Sequence, residues 1–530
     1  TIYKTFQATA EYNKTIGEHT FGILAGYSWE QEDYRYVQGS RDKFPGNDLP
    51  YLNAGSPDNQ KSEGTGNAWA IQSGFGRLRY NFNERYLFES TVRYDGSSRF
   101  PQSKKFGFFP SVAAGWRLSE ENFFKENESL GFISNLKLKV SWGRLGNQNI
   151  GNYPYQSVYE LGQNYPFGDT YTQGAAVTTA VDPTIKWEET ETIDGGLEAV
   201  FWNGLLSVNA SYFNRRTYDI LYKPSGSVST ILGQKISEMN TGELKNFGWE
   251  FEVGHRNKIG DVSYNVNANL SIIKNKLTTL GVGNVEQLNG MVGNGSDLFI
   301  GYPIQMYYGY VSDGVFLDEN DIKSWYDQSK VTPNPQPGDI RYKDISGPDG
   351  VPDGKIDPNY DRVYLGSRIP KFTFGLNLGV EYKGLDLSVL LQGVAGVTGM
   401  LDGFAGWAFR GDGNIQKWQA EGRFDPANPT RYPAYPRLED LSNSTTPNIV
   451  TSDFWTQDAS YIRLKNIQLG YTFPKKMLQA AKISNLRVYV QAENPLCWNK
   501  YKPGWDPEIN TSGNYYPILA TYTFGVNFKF

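Results

Sequence analysis

The residues best suited to holding a metal lie in the acidic segment 344–361, where Asp344, Asp349, Asp353 and Asp357 recur four or five residues apart among Gly347, Gly350 and Gly354. Calcium takes about six to eight hard oxygens, and carboxylates at this spacing on a Gly-turned loop can converge on one ion. Asp353-Gly354-Lys355-Ile356-Asp357 resembles part of an EF-hand loop, although Val351 occupies a ligand position and no Glu stands at the twelfth. A structural calcium or magnesium ion is therefore expected at these four aspartates. The alternative is a run of solvated Asx-turns pinned by Gly and Pro.

The second set is aromatic. Trp325, Tyr326, Trp407, Phe409, Trp418, Trp498, Tyr501 and Trp505 fall in stretches rich in Asn, Asp, Arg and Gly. Flat rings beside polar anchors stack on sugars or hold a peptide, so these are the candidate substrate-binding residues. The alternative is that such rings pack loops together or form an interfacial girdle.

Catalytic chemistry is not expected. The chain has no Gly-x-Ser-x-Gly elbow, no His-Glu-x-x-His and no phosphate-binding Gly-rich loop. Its two histidines, His19 and His255, lie beside short turns, and Cys497, the single cysteine, reads as a small hydrophobe. Fifty-six acidic residues offer pairs of the kind used in glycoside hydrolysis, but nothing singles one out. With 51 Lys+Arg and a net charge of −5, nucleic acid is not an expected partner.

The elements that must position these residues are strands. Mean hydropathy is −0.52 and no apolar run reaches the roughly 18 residues of a membrane helix. Aromatics make up 15% beside 57 Gly, a mixture suited to strands and turns. Apolar residues alternate with polar ones over Phe6–Tyr12, Tyr86–Tyr94, Leu136–Trp142, Val262–Ile272, Phe372–Tyr382 and Leu486–Ala492. The parity slips near Lys465-Asn466, as a bulge would require. At the other end, Tyr522, Phe524, Val526, Phe528 and Phe530 form one face of a final strand. Such an ending resembles the signal by which outer-membrane barrels are recognised.

Connections alternate in length. Asn83-Glu84-Arg85, Trp202-Asn203-Gly204 and Lys383-Gly384 are tight, whereas 34–66, 147–187, 219–240, 399–453 and 497–516 are long. Short turns on one rim and long loops on the other describe a transmembrane barrel, with about fifteen crossing strands. Parity places 275–367 wholly on the long-loop side, as a large extracellular region containing Tyr307-Tyr308-Gly309-Tyr310 and a short turn near 318–328. Residues 1–530 are thus read as an all-β, antiparallel outer-membrane barrel portion. Arg77, Arg79, Arg93, Arg463 and Lys465, on polar strand faces, should point to the lumen.

These residues carry a family resemblance. Arg93-Tyr94-Asp95-Gly96-Ser97-Ser98-Arg99-Phe100, Phe109-Pro110-Ser111 with Gly115-Trp116, and Ser141-Trp142-Gly143 with Gly146-Asn147-Gln148 come first. Lys186-Trp187-Glu188, Asn240-Thr241-Gly242 and Pro337-Gly338-Asp339-Ile340 follow. Ser460-Tyr461-Ile462-Arg463-Leu464-Lys465-Asn466, Leu469-Gly470-Tyr471, Tyr501 and Asp506-Pro507-Glu508 complete the series. In this order the blocks resemble the carboxy-terminal barrel of SusC/RagA-type TonB-dependent outer-membrane transporters. The resemblance implies a barrel of about 22 strands around a plug. It also implies energy from TonB, a SusD-type surface lipoprotein as partner, and import of oligosaccharides or peptides. The plug, the TonB-contacting region and the first strands, about seven of the 22, are expected outside this sequence. The competing readings are a surface β-rich glycan-binding protein without transport activity and a barrel-embedded hydrolase.

Overall fold

A computed structural model describes residues 1–224, 231, 233–281, 285–286, 290–294, 297–440, 447–479, 483–501, 504–509 and 516–530. Fifteen strands form one antiparallel sheet whose spatial order is the order of the chain. They are Ile2–Ile16, His19–Ser40, Lys61–Phe82, Tyr86–Ser97, Phe106–Arg117, Ile133–Asn147, Glu188–Phe201, Leu206–Tyr218, Glu243–Ile259, Val262–Thr279, Phe372–Tyr382, Leu385–Ala395, Tyr461–Thr472, Asn485–Asn499 and Thr521–Lys529. Contacts divide the chain into two compact units. Thr1–Trp116, Val140–Ile193 and Arg216–Glu243 form the first; Arg117–Lys139, Asp194–Arg215 and Leu244–Phe530 form the second.

Register in the first unit shows why the alternation is needed. Tyr12, Ile23, Leu78, Ser90 and Val112 lie in one cross-strand row, and Ala8, Tyr27, Gly74, Tyr94 and Phe108 in another on the same face. The opposite face carries the row Glu11, Leu24, Arg77, Thr91 and Ser111. There Arg79 and Arg77 reach Glu11 at 2.5 and 3.6 Å. Charges thus collect on one face and large apolar groups on the other, as expected for a wall with lipid on one side. The second unit repeats the device, with Lys137 and Lys139 both on Glu198 at 3.2 and 3.0 Å.

Aromatics mark the short-turn ends of the strands. In the first unit Phe82 stacks on Tyr86 and Tyr86 on Trp116, with centroids 6.3 and 6.4 Å apart. In the second, Phe132 and Phe201 stack at 6.1 Å. A small buried core closes the long-loop ends of the first unit. Trp187 packs on Phe100 and Phe109 at 5.1 and 5.3 Å, and its indole donates to the Lys105 carbonyl at 3.0 Å. Gly146 lies under the Phe109 ring, where a Cβ would fall 2.0 Å from a ring carbon, so only glycine fits.

The bulge is present. The register shifts between Leu464 and Asn466 leave Lys465 without a partner in the ladder. Other boundaries move. The expected loop 34–66 narrows to 41–60, because its flanking strands run to 22 residues each, well beyond the roughly 9–11 that a crossing needs. The wall leaves at Thr279 and returns at Phe372, so the expected excursion 275–367 becomes 280–371. Within it Met306–Tyr310 pairs with Arg362–Ser367 outside the wall. Glu319–Ser324 is a short helix capped by Asp318, whose side chain accepts from the Asp321 amide at 2.9 Å. Trp498 belongs to the wall strand Asn485–Asn499, opposite Ile462, and not to the loop expected at 497–516. Asn494-Pro495, with Asn494 at φ 50°, falls opposite the bulge at Lys465, and pairing with the neighbouring strand resumes at Leu496.

The two faces make a direct prediction. Leu78→Arg should cost about 2–4 kcal/mol of folding free energy in lipid vesicles, read by urea titration, whereas Thr91→Arg one strand away on the other face should cost little. Equal losses at both positions would contradict the assignment of faces.

Candidate functional site

In the second unit, described residues of the connections 280–371 and 396–460 share one core. Tyr342, Tyr435, Trp455, Ile340, Ile356 and Leu401 are almost wholly buried in it. Burial pushes the Tyr342 and Tyr435 hydroxyls above their ordinary range. Polar seams join the two connections. Asp339 is fully buried, and its Oδ1 accepts from Arg437 Nε at 2.5 Å and Asn448 Nδ2 at 2.9 Å. Its Oδ2 accepts from the Gln336 amide at 2.8 Å. Asp321 accepts from Arg341, Arg431 and the Leu317 amide. Burial opposes its charge, but the Arg431 bond and the Leu317 amide outweigh that and hold the carboxyl below the usual range. Gly314, at φ +76°, lets the chain approach the Arg431 carbonyl so closely that a Cβ would lie 2.1 Å from its oxygen.

Tyr501 and the segment 504–509 are fixed to this assembly from the wall. Arg463, 2% exposed, donates from one Nη to both oxygens of Asp506 at 2.7 Å and lies 2.8 Å from Glu508. The Tyr501 hydroxyl donates to the Met400 carbonyl at 3.2 Å, and its ring covers Gly399. Beside these contacts lies a cavity of about 380 Å³. Tyr307, Arg368, Asp402, Tyr461, Tyr501 and Glu508 supply its polar and aromatic lining, and Val394, Val397 and Ile509 are apolar. Arg368 is exposed, with its guanidinium 6.0 Å from the Tyr307 ring centre. Burial pushes the Tyr307 hydroxyl up, Arg368 works against that, and Asp402 adds to it. Ring faces, a cation and carboxylates around an open volume are the parts of a recognition site for a polar organic ligand.

The family model "TonB dependent receptor-like, beta-barrel" matches residues 1–494. The chain belongs to this family. Membership places it among outer-membrane β-barrel proteins. TonB-dependent receptor P3 of Formosa agariphila is 28% identical across 98% of this chain and 51% of its own length. TonB-dependent receptor SusC of Bacteroides thetaiotaomicron is 28% identical across 99% of this chain and 50% of its own. The chain thus spans about half the length of these curated relatives. A solved RagAB peptide transporter superposes with a TM-score of 0.78 at 25% identity, covering 99% of this chain and 55% of that one.

Of the eight aromatic residues expected to bind substrate, Tyr501 lines the cavity. Trp407, Trp418 and Trp505 pack, partly buried, against the loop core. Trp418 meets Tyr435 edge-on at 5.2 Å and Trp407 lies under Arg410 at 5.2 Å. Trp325 is covered by Arg341, 3.6 Å above its ring, and its indole donates to the Tyr342 carbonyl at 2.9 Å. Tyr326 and Phe409 are exposed, as is Trp498 on the wall. The cavity's other contributors, Arg368, Asp402, Tyr461 and Glu508, were not among the expected site residues. Tyr461 and Glu508 do stand in motif blocks that carry the family resemblance, and Arg463 is what joins those blocks in space.

The four aspartates expected to share a metal have separate partners. Asp357 pairs with Lys330 and accepts from the Asn359 amide at 2.9 Å. Asp353 accepts from the Lys355 amide at 3.1 Å, and Asp349 is exposed. Asp344 accepts from the Gly354 amide at 2.6 Å. Asp361, fully buried, takes the amides of Ile345, Ser346 and Asp357 at 2.7, 3.1 and 2.6 Å. Burial raises its carboxyl above the usual range despite those three donors, and the Asp344 charge adds to the rise. Among the described residues no three acidic, His or Cys side chains are gathered as a ligand set.

Removing the Arg463 anchor should free the 504–509 segment. Arg463→Gln leaves two carboxylates without their shared cation, at a local cost of about 3 kcal/mol. Hydrogen exchange over 504–509 should accelerate by about two orders of magnitude while the wall strands stay protected. Unchanged exchange there would show that the anchor is not what holds the segment.

Proposed function

We propose that this chain is the barrel wall and outer loops of a SusC-like TonB-dependent importer of oligosaccharides or peptides. In this reading the long connections face the cell exterior and the short turns the periplasm. A SusD-type surface lipoprotein delivers cargo to the loops, and TonB acts through parts of the longer protein outside this sequence. Further strands of that protein pair the open edges of Ile2–Ile16 and Thr521–Lys529, since a bilayer offers no alternative partner for an exposed strand edge.

The cavity beside Arg463 is the observation that carries substrate capture by this chain. Its 380 Å³ suits one or two residues of an extended chain, not a whole oligomer. Cargo would therefore be gripped at one point while the rest extends. Arg368 provides a charge for an acidic group, and Tyr307, Tyr461 and Tyr501 provide faces for a ring or an aliphatic stem. Likeness to the RagAB peptide transporter supports import, and the aromatic lining serves peptides and sugars alike.

The test uses the full-length protein with its lipoprotein, binding labelled peptide and oligosaccharide pools. The double substitution Arg368→Ala with Tyr307→Ala should weaken capture at least tenfold without changing heat-modifiable migration of the barrel. Unaltered capture would remove the cavity from the substrate path.

A further inference from the structure

We propose that Asp344 and Asp361 hold a calcium ion that locks the 344–361 segment onto the loop core. Asp344 is only 9% exposed. One of its carboxylate oxygens, Oδ2, accepts the Gly354 amide. The other, Oδ1, is buried and has no hydrogen-bond partner. A buried, unpartnered carboxylate oxygen is costly, and native interiors ordinarily supply it with a proton donor or a cation.

Geometry places a second carboxylate beside it. Asp361 Oδ1 is held by the amides of Ile345 and Ser346, the two residues that follow Asp344, so its carboxylate lies against the turn that Asp344 opens. Asp361 is fully buried. The neighbouring ammonium of Lys330 is engaged by Asp357 and so does not neutralise this pair. Two buried carboxylates against one turn, that of Asp344 with an open oxygen, form a hard-oxygen site of net negative charge. Calcium fits it, because that ion accepts main-chain carbonyls and water to complete an irregular shell, whereas magnesium demands near-ideal octahedral geometry.

The ligand pair differs from the set expected from the sequence. Asp361 joins Asp344, while Asp357 is held by Lys330 and Asp349 points to solvent. With two carboxylates instead of three or four, affinity should lie near about 10⁻⁴–10⁻³ M, the range of extracellular calcium modules. The effect of binding passes to the core through Ile356, which is fully buried in it and whose amide donates to the Asp327 carbonyl at 2.7 Å.

Hydrogen exchange on the full-length protein, with 5 mM calcium chloride (about five times the upper Kd) against EDTA, tests this. Calcium should slow exchange across 340–361 at least fivefold in the wild type and in Asp349→Asn, and not in Asp344→Asn. Terbium luminescence sensitised by the nearby rings should be displaced by calcium in the wild type alone of the pair with Asp344→Asn. Should Asp344→Asn fail to fold, the wild-type comparison of calcium with EDTA still decides. No calcium-dependent protection in the wild type, or an undiminished response in Asp344→Asn, would overturn the site. An equal response to magnesium would overturn calcium as its ion.

Discussion

A strand that crosses hydrocarbon must find every backbone hydrogen bond in its neighbours, because lipid offers none. From that constraint follow the sequential strand order, the strict two-residue alternation and the confinement of irregular chain to the rims. In the first unit, Tyr12, Ile23, Leu78 and Val112 face one way while Glu11, Arg77 and Arg79 face the other and pair among themselves. A single-residue slip would exchange the two sets. The ladder therefore fixes register as firmly as the side chains do. Where the ladder slips, at Lys465, it does so two residues along the strand from Arg463, the residue that reaches out to Asp506.

The loops obey a different rule. Away from lipid they need not satisfy themselves strand by strand, and in the second unit they build a globular core of their own around Tyr342, Tyr435 and Trp455. Buried ionic seams at Asp339 and Asp321 join distant parts of the chain. The described residues of these connections pack as fixed structure, and they hold the cavity lining in place as a rigid scaffold does. Recognition in the proposed importer thus depends on loops that are folded before cargo arrives.

This division explains what could be read from the sequence. The wall was legible because alternation is a periodic signal: Phe372–Tyr382 and Val262–Ile272 show it residue by residue, and the parity break at Lys465 shows the bulge. Strand length was less so, since residues 34–40 and 61–66 continue pairing above the expected crossing with Gly, Thr and charges that look like loop. The loop core was not legible at all, because its contacts join residues about a hundred apart with no period to betray them. Trp325, Trp407 and Trp418 share residue type and polar surroundings with binding-site aromatics, and the sequence carries no sign of the Arg341, Arg410 and Tyr435 contacts in which the structure places them. Arg368 and Asp402 carry no local pattern, whereas Arg463 and Asp506-Pro507-Glu508 each stood within a family block without their pairing being visible.

The central claim is that this wall belongs to a larger importer that works with a surface lipoprotein. Native mass spectrometry of the protein extracted by mild detergent from its own membranes tests it most directly. The account predicts a barrel chain roughly twice the mass of these 530 residues, as the relatives' lengths imply, with a lipoprotein bound. A lone chain of 59.7 kDa released without detergent would contradict it.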